Sequence, residues 1–422
     1  MLRLLLVVMF VNLFAWKNIL AIDATLEIVK TSSKIPFIII EHISSNKEYG
    51  NKVFAHLDAD LRVSSHFQVE KGDEVKDSKP DFQSYKNRKI DLIARVSVRK
   101  KDNGLVATLQ LYDVNTSSRV LERQYGEEQI IRYPFLAHNM ANDINTYIKA
   151  PNIDWMKQFV VFAKYTTSGN SDIVLADYTL SFQQTIVKGG LNIFPKWGNE
   201  QKNVLYYTKY LDNKPTIVRH DLRTNTIEGV ISSDGMAVVS DVSRDGSKLL
   251  LSLTPEGSAA DVYLYDVKGK SLDKLTNFSG IDVGGKFINN EQEVVFVSDR
   301  LGYPNIFSTS IKGGAVEQVV FHGRNNSAVS AFDKRVVYSS RETNNEFGLN
   351  TFNLYLIATN SEFIRRLTTE GSNQMPTFSK DGNNIMFIKH TPTQSALGII
   401  RLDYNKSYLF PLPNVKIQSY DW

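Results

Sequence analysis

Apolar residues follow two regimes along this chain of 422 residues. Between about 25 and 150 the spacing changes from one element to the next. "TLEIVK" and "IPFIIIEHI" are β-prone, whereas 49–64, "YGNKVFAHLDADLRVS", puts Val53, Leu57 and Leu61 on one helical face. "IDLIARVSVRK", "LVATLQLYDV" and "RVLERQYG" then read as three strands joined at "KDNG" and "NTSS", with Asn103-Gly104 as a hairpin turn. Residues 132–149, "RYPFLAHNMANDINTYIK", read as a closing helix whose end Pro151 marks. This pattern predicts a small α/β domain with one sheet and two helices.

After Asn152 helical spacing stops and short strands alternate with turns. "FSKDGNNIMFIKH" (378–390) has relatives at "VSRDGSKLLLSL", "FINNEQEVVFV", "WGNEQKNVLYY" and "VSAFDKRVVY". Aligned on Trp197, Val242, Phe287, Val329 and Phe378, they recur at intervals of 45, 45, 42 and 49 residues. A second phrase recurs within the period: "DVYLYDVKGKSLDKLT", "NIFSTSIKGGAVEQVV" and "NLYLIATNSEFIRRLT". Each unit therefore holds about four strands, the signature of a β-propeller blade. Runs such as "LLLSL" are apolar at consecutive positions, as a strand packed on both faces requires.

The unit at 155–187 lacks a first strand, while the tail "VKIQSYDW" (415–422) looks like a first strand with nothing after it. Tyr420 lies 42 residues beyond Phe378, in phase with the array. The tail is expected to complete the first blade and close a ring of six, removing the open edges. The fold class expected is an α+β N-terminal domain followed by an all-β six-bladed β-propeller.

The N-terminus, "MLRLLLVVMFVNLFAWKNILA", has a basic start at Arg3 and an apolar run from Leu4 to Trp16. A dozen apolar residues fall short of the roughly 20 that span a bilayer and suit a secretory leader, residues 1–21. The formal net charge is +4, and removing Arg3 and Lys17 with the leader would leave about +2, too little to indicate nucleic acid. The absence of cysteine excludes disulfides, thiol catalysis and zinc–cysteine sites.

The residues supply no site for covalent chemistry. No G-x-S-x-G elbow occurs. The seven histidines (42, 56, 66, 138, 220, 322 and 390) form no H-E-x-x-H or paired metal spacing. His56, Asp58 and Asp60 are close in sequence, but the two carboxylates do not face each other on a helix, so they read as solvated surface. The Asp-Gly pairs at 245–246 and 381–382 lack the further carboxylates of a calcium loop and read as turns. Gly189-Gly190 and Gly313-Gly314 belong to strand connections. A cation in the central channel stays open; no cofactor, metal ligand or catalytic residue is assigned.

A leader, a small α/β domain and a six-bladed propeller of "FSxDGxxIxF" type together resemble the TolB family, the periplasmic components of the Tol-Pal envelope system. "TLEIVKTSSKIPFIII" matches the family's short N-terminal strand and the first strand of its α/β domain. "LDADLRVSSHFQV" stands where the family has a helix ending in a phrase of the type "DLxxSGxF", Ser65-His66-Phe67 departing from the usual Gly. The last residue is Trp422 where the family frequently has "WSP".

The resemblance implies a non-enzymatic periplasmic adaptor, expected as a monomer, that contacts membranes only through its partners and supports outer-membrane integrity and constriction during division. The layout implied is a leader at 1–21, an α/β domain at 22–150 and a propeller at 151–422. The propeller is expected to bind the peptidoglycan-associated lipoprotein Pal through the loops that enter each blade, which hold Asn192, Met236, Asp282, Asn326, Asn373 and Gln374. The segment 22–34, with Leu26, Glu27, Ile28 and Val29, is expected to bind TolA by strand addition. The alternative is a secreted propeller that binds or cleaves a glycan or peptide.

Overall fold

The computed structural model describes residues 35–43, 47–76, 78–343, 350–359 and 361–422. The leader and the segment 22–34, with Leu26 to Val29, lie outside the described residues. The first part comprises β1 (Phe37–Ile43), α1 (Lys47–Ser64), β2 (Gln68–Val75), α2 (Phe82–Asn87), β3 (Leu92–Lys101), β4 (Gly104–Asp113), β5 (Ser118–Glu127) and α3 (Tyr133–Tyr147). The sheet order is β2-β1-β3-β4-β5, with β1 parallel to both neighbours and the rest antiparallel. Ile38, Ile39 and Ile40 are all buried because the sheet is covered on both faces. Ile38 and Ile40 pack with Leu57 and Leu61 of α1 and Met140 of α3, while Ile39 packs with Phe82 of α2.

Two elements here have no sequence-based counterpart. β2 is a largely polar edge strand, "QVEKGDEV", without apolar alternation. α2 has six residues and is held by a cap, Asp81 accepting from the Gln83 and Ser84 backbone N–H groups, too short for helical periodicity. The predicted hairpin turn shifts by one residue. Lys101 pairs with Gly104, so the two-residue loop is Asp102-Asn103, with Asp102 at φ +52°. Gly104 is required by a close approach, since a Cβ there would stand 2.0 Å from the Glu127 carbonyl oxygen.

The rest of the chain is a six-bladed propeller. Blade 1 pairs the strand Ile417–Asp421 antiparallel with Val160–Thr167, followed by Asn170–Ala176 and Gln183–Val187. The ring is therefore closed by the C-terminal tail, as its phase predicts. The inner strands of blades 2 to 6 are Asn192–Trp197, Ala237–Val242, Asp282–Ile288, Asn326–Phe332 and Ser372–Phe378. The consecutive apolar runs divide between two neighbours. In blade 3, Leu249 and Leu251 pack with Tyr206 of blade 2, whereas Leu250 packs with Phe287 and Phe296 of blade 4. The core of the α/β domain is continuous with Tyr178 of blade 1 and Met386, Ile388 and Ile399 of blade 6.

Candidate functional site: the two ends of the propeller channel

Six inner strands running the same way give the channel two chemically distinct ends. All six propeller residues singled out in the sequence lie at the end where these strands begin. Four of them point away from solvent into the blade junctions. The Asn192 Nδ2 donates to the carbonyls of Ser171 in blade 1 (3.0 Å) and of Gly189 (2.8 Å). Asn326 Nδ2 donates to Asn305 Oδ1 of blade 4 (2.9 Å) and to the His322 carbonyl (2.8 Å). Asn373 Nδ2 donates to the carbonyls of Phe352 in blade 5 (3.1 Å) and of Glu370 (2.9 Å). Asp282 is fully buried and accepts both bonds of Arg300 Nη2, at 2.9 and 3.1 Å. The three asparagines stitch their blades to the loop and blade before them, satisfying buried carbonyls that would otherwise be orphaned, whereas Asp282 clamps Arg300 within its own blade. Met236 is 38% exposed and Gln374 half-buried, so these two reach the surface.

Between these loops opens a cavity of about 340 Å³, lined mainly by apolar side chains including Phe194, Met236, Val238, Val283, Val329 and Met375. At its floor stand Lys196, Lys286 and Thr377, which also line a second cavity of about 500 Å³ at the opposite end. They mark the waist of the channel and come from blades 2, 4 and 6. Each precedes a residue whose backbone N–H donates to the preceding, odd-numbered blade. Trp197 N donates to Asp421 Oδ2 (2.9 Å), Phe287 N to Asp241 Oδ2 (3.0 Å) and Phe378 N to Ser330 Oγ (3.2 Å). At the waist the ring is thus a set of three blade pairs. Sequence inspection missed this column, although its signal was available: it lies one position before the anchors Trp197, Phe287 and Phe378.

The two waist lysines differ. Lys196 Nζ is 2.6 Å from Asp421 Oδ1. Lys286 Nζ donates to the Ser240 carbonyl and is 4.0 Å from the nearest Asp241 oxygen. Burial, reinforced by the neighbouring Lys196 charge, pushes the Lys286 pKa down to about 8. Paired ammonium groups are a poor setting for a cation, which calls for converging oxygen ligands.

The end where the inner strands finish is partly covered by the α/β domain. His138 of α3 is fully buried, with Nδ1 2.8 Å from Asp60 Oδ2 of α1 and Nε2 3.3 Å from Asp177 Oδ2 of blade 1. Tyr178 of blade 1 donates to the other Asp60 oxygen at 2.5 Å. Burial alone would depress the His138 pKa, but the two carboxylates outweigh it and hold it up at about 10. Asp60 is therefore no solvated surface residue, contrary to the sequence-based expectation: its partners arrive from α3 and from the propeller. Asp58 does stay at the helix surface, paired with Arg62 at 2.8 Å. A second histidine, His66, sits between Asn145 (Nδ1 to Oδ1, 2.5 Å) and Arg401 of blade 6 (Nε2 to Nη2, 3.3 Å). Burial keeps it neutral, with its pKa lowered to about 4, so Nδ1–H donates to Asn145 and Nε2 accepts from Arg401.

Comparison with known proteins places this architecture. A model of the TolB amino-terminal domain matches residues 24–120, and one of the TolB β-propeller domain matches residues 157–422. This chain belongs to the TolB family. The Tol-Pal system protein TolB of Helicobacter hepaticus is 56% identical over 408 residues, covering 96% of this chain and 97% of that one. The protein of the same name from Wolinella succinogenes is 52% identical over 423 residues, covering 98% and 100%. The crystal structure of TolB from Acinetobacter baumannii has the same fold, with a TM-score of 0.74 at 19% identity, covering 92% of this chain and 96% of that one. Where the TolB family phrase has its glycine after α1, this chain adopts the left-handed conformation with Ser65 at φ +64°. The Ser65 hydroxyl lies 3.1 Å from Tyr408 Oη, and Tyr408 also donates to the Arg62 carbonyl at 2.8 Å. A blade 6 side chain thus holds the helix end in the conformation that glycine would adopt freely.

Proposed function

We propose that this chain is a non-enzymatic adaptor of the Tol-Pal system, acting in the periplasm after loss of a leader at residues 1–21. Its propeller (151–422) binds the peptidoglycan-associated lipoprotein Pal, and its N-terminal segment 22–34, ahead of the α/β domain, binds TolA. In this role it supports outer-membrane integrity and constriction during division. The observation that carries the reading is the apolar mouth where the inner strands begin, at the end of the channel opposite the α/β domain. A concave, apolar, partly exposed surface with a rim of loops suits a protein partner. The adaptor reading is also supported by the burial of His138, Asp60, Asp177 and Tyr178. This cluster holds the molecule's most strongly perturbed histidine, yet it is sealed from any substrate.

Two titrations of the purified protein test the assignment: one with the soluble part of the lipoprotein, one with the periplasmic part of TolA. Deleting residues 22–34 is expected to abolish TolA binding and leave lipoprotein binding intact or stronger. Retained TolA affinity would overturn the role of the segment, and absence of lipoprotein binding to the wild-type chain would overturn the role of the propeller.

A further inference from the structure

The charges at the channel waist are distributed unequally between its two ends. Asp241 and Asp421 line the cavity toward the α/β domain, together with both lysines. Among the described residues, Lys196 and Lys286 are the only charged side chains lining the apolar mouth. An object entering by that mouth therefore passes Phe194, Met236, Val238, Val283, Val329 and Met375 and meets two ammonium groups at the bottom. Neither carboxylate faces it from that side.

The lysines are also unequally satisfied. Asp421 is fully engaged, one oxygen on Lys196 Nζ at 2.6 Å and the other on the Trp197 N–H at 2.9 Å. Asp241 spends one oxygen on the Phe287 N–H at 3.0 Å and leaves the other 4.0 Å from Lys286 Nζ. The Lys286 ammonium has three donors, of which the Ser240 carbonyl takes one. A recessed cation with spare donors, at the foot of an apolar funnel, is complementary to a single carboxylate carried on an apolar stalk. A free inorganic anion would gain nothing from the apolar wall.

We infer that the mouth receives a loop of the lipoprotein partner whose tip bears an aspartate or glutamate, and that this carboxylate docks on Lys286 with Lys196 as the supporting charge. This inference rests on the lipoprotein-binding role proposed above and names the chemistry of that contact. Burial and the Lys196 charge outweigh the pull of Asp241 and Asp421 and lower the Lys286 pKa to about 8, as for an ammonium that its carboxylates balance only in part. A carboxylate seated there adds a further charge partner, and apolar walls exclude water from the contact once it forms, where truncating one partner costs most.

The test is a calorimetric titration of the full chain with the soluble part of the lipoprotein, run beside a thermal melt of each variant. Lys286→Gln is expected to weaken binding by roughly 30-fold or more, and Lys286→Arg to retain most of the affinity. On the partner, one Asp→Asn or Glu→Gln replacement should weaken wild-type binding comparably. The two losses should not add when combined, because they remove the same contact. A Lys286→Gln chain that melts normally and binds within about threefold of wild type would overturn the inference while leaving the lipoprotein-binding role standing. Should Lys286→Gln fail to fold, the partner-side scan decides. If no single amide replacement costs as much as about tenfold, the inference is overturned. A wild-type chain that does not bind the lipoprotein would remove both readings.

Discussion

The two ends of the propeller channel are built from the same six strands, yet they treat charge in opposite ways. Where the strands finish, His138 is enclosed between two carboxylates and closed off by the α/β domain, with no exposure at all. Where they begin, the charged groups are recessed and the surface is left to methionine, valine and phenylalanine. A buried ion cluster of the first kind is costly to desolvate and is best made once, during folding. An apolar mouth of the second kind leaves surface uncovered that a partner can bury later. The contrast separates a permanent contact from one kept available.

Removing the strand that serves both ends should have the largest effect. Deleting residues 415–422 strips blade 1 of its inner strand and takes Ile417, Tyr420 and the Asp421 anchor with it. Each buried side chain contributes about 1.5–3 kcal/mol against a domain stability of about 5–15 kcal/mol. The truncated protein should aggregate or melt far lower, and an unchanged melting temperature would contradict closure of the ring by this strand. Next in size is Asp282→Arg at the mouth, which leaves Arg300 facing a like charge in a buried site; a loss of about 3–5 kcal/mol is expected from denaturant titration. Retention of wild-type stability would show that Asp282 does not act as a structural clamp.

A pH series sharpens the contrast at the covered end. With the folded-state pKa of His138 at about 10, above the ordinary 6.5, its contribution is complete below 6.5 and is lost as pH rises through 10. His66 has the opposite sign. Its folded-state pKa of about 4 means the unfolded chain binds more protons between 4 and 6.5, so stability also falls as pH drops through that window. Stability from these two groups should peak near neutrality. His138→Gln should remove the alkaline slope and leave the acid one, which melts across pH would reveal. The smallest effect on folding is expected of Met236→Arg, within about 0.5 kcal/mol in stability, with a weakening of the proposed lipoprotein binding that a titration beside a melt would reveal.

Much of the architecture was legible because it repeats. The anchors from Trp197 to Phe378 and the phase of Tyr420 carry the blade count and the closure of blade 1, since a blade is a local unit built from nearby strands. The stitching role of Asn192 and Asn326 was harder to see, as polar residues entering a strand look like solvated turn residues. A regularity was nevertheless present: their partners Ser171 and Asn305 both lie 21 positions earlier. The surroundings of Asp60 were beyond local spacing altogether. His138 is 78 positions away and Tyr178 is 118, so only the docking of α3 and blade 1 onto α1 brings them together. β2 and α2 escaped because an edge strand need not alternate and a one-turn helix has no period.

Closure of the first blade by the last strand also sets an order of events. A chain that appears N-terminus first presents Val160–Thr167 with one side unpaired, and its partner is the last strand of the ring to arrive. Pairing across nearly the whole propeller is slow, since loop closure must precede any reward from contact. Throughout that interval the open edge is a template for strands of other molecules. The completed ring is then sealed at a single seam, and every intermediate short of Ile417 carries the hazard that the finished molecule lacks.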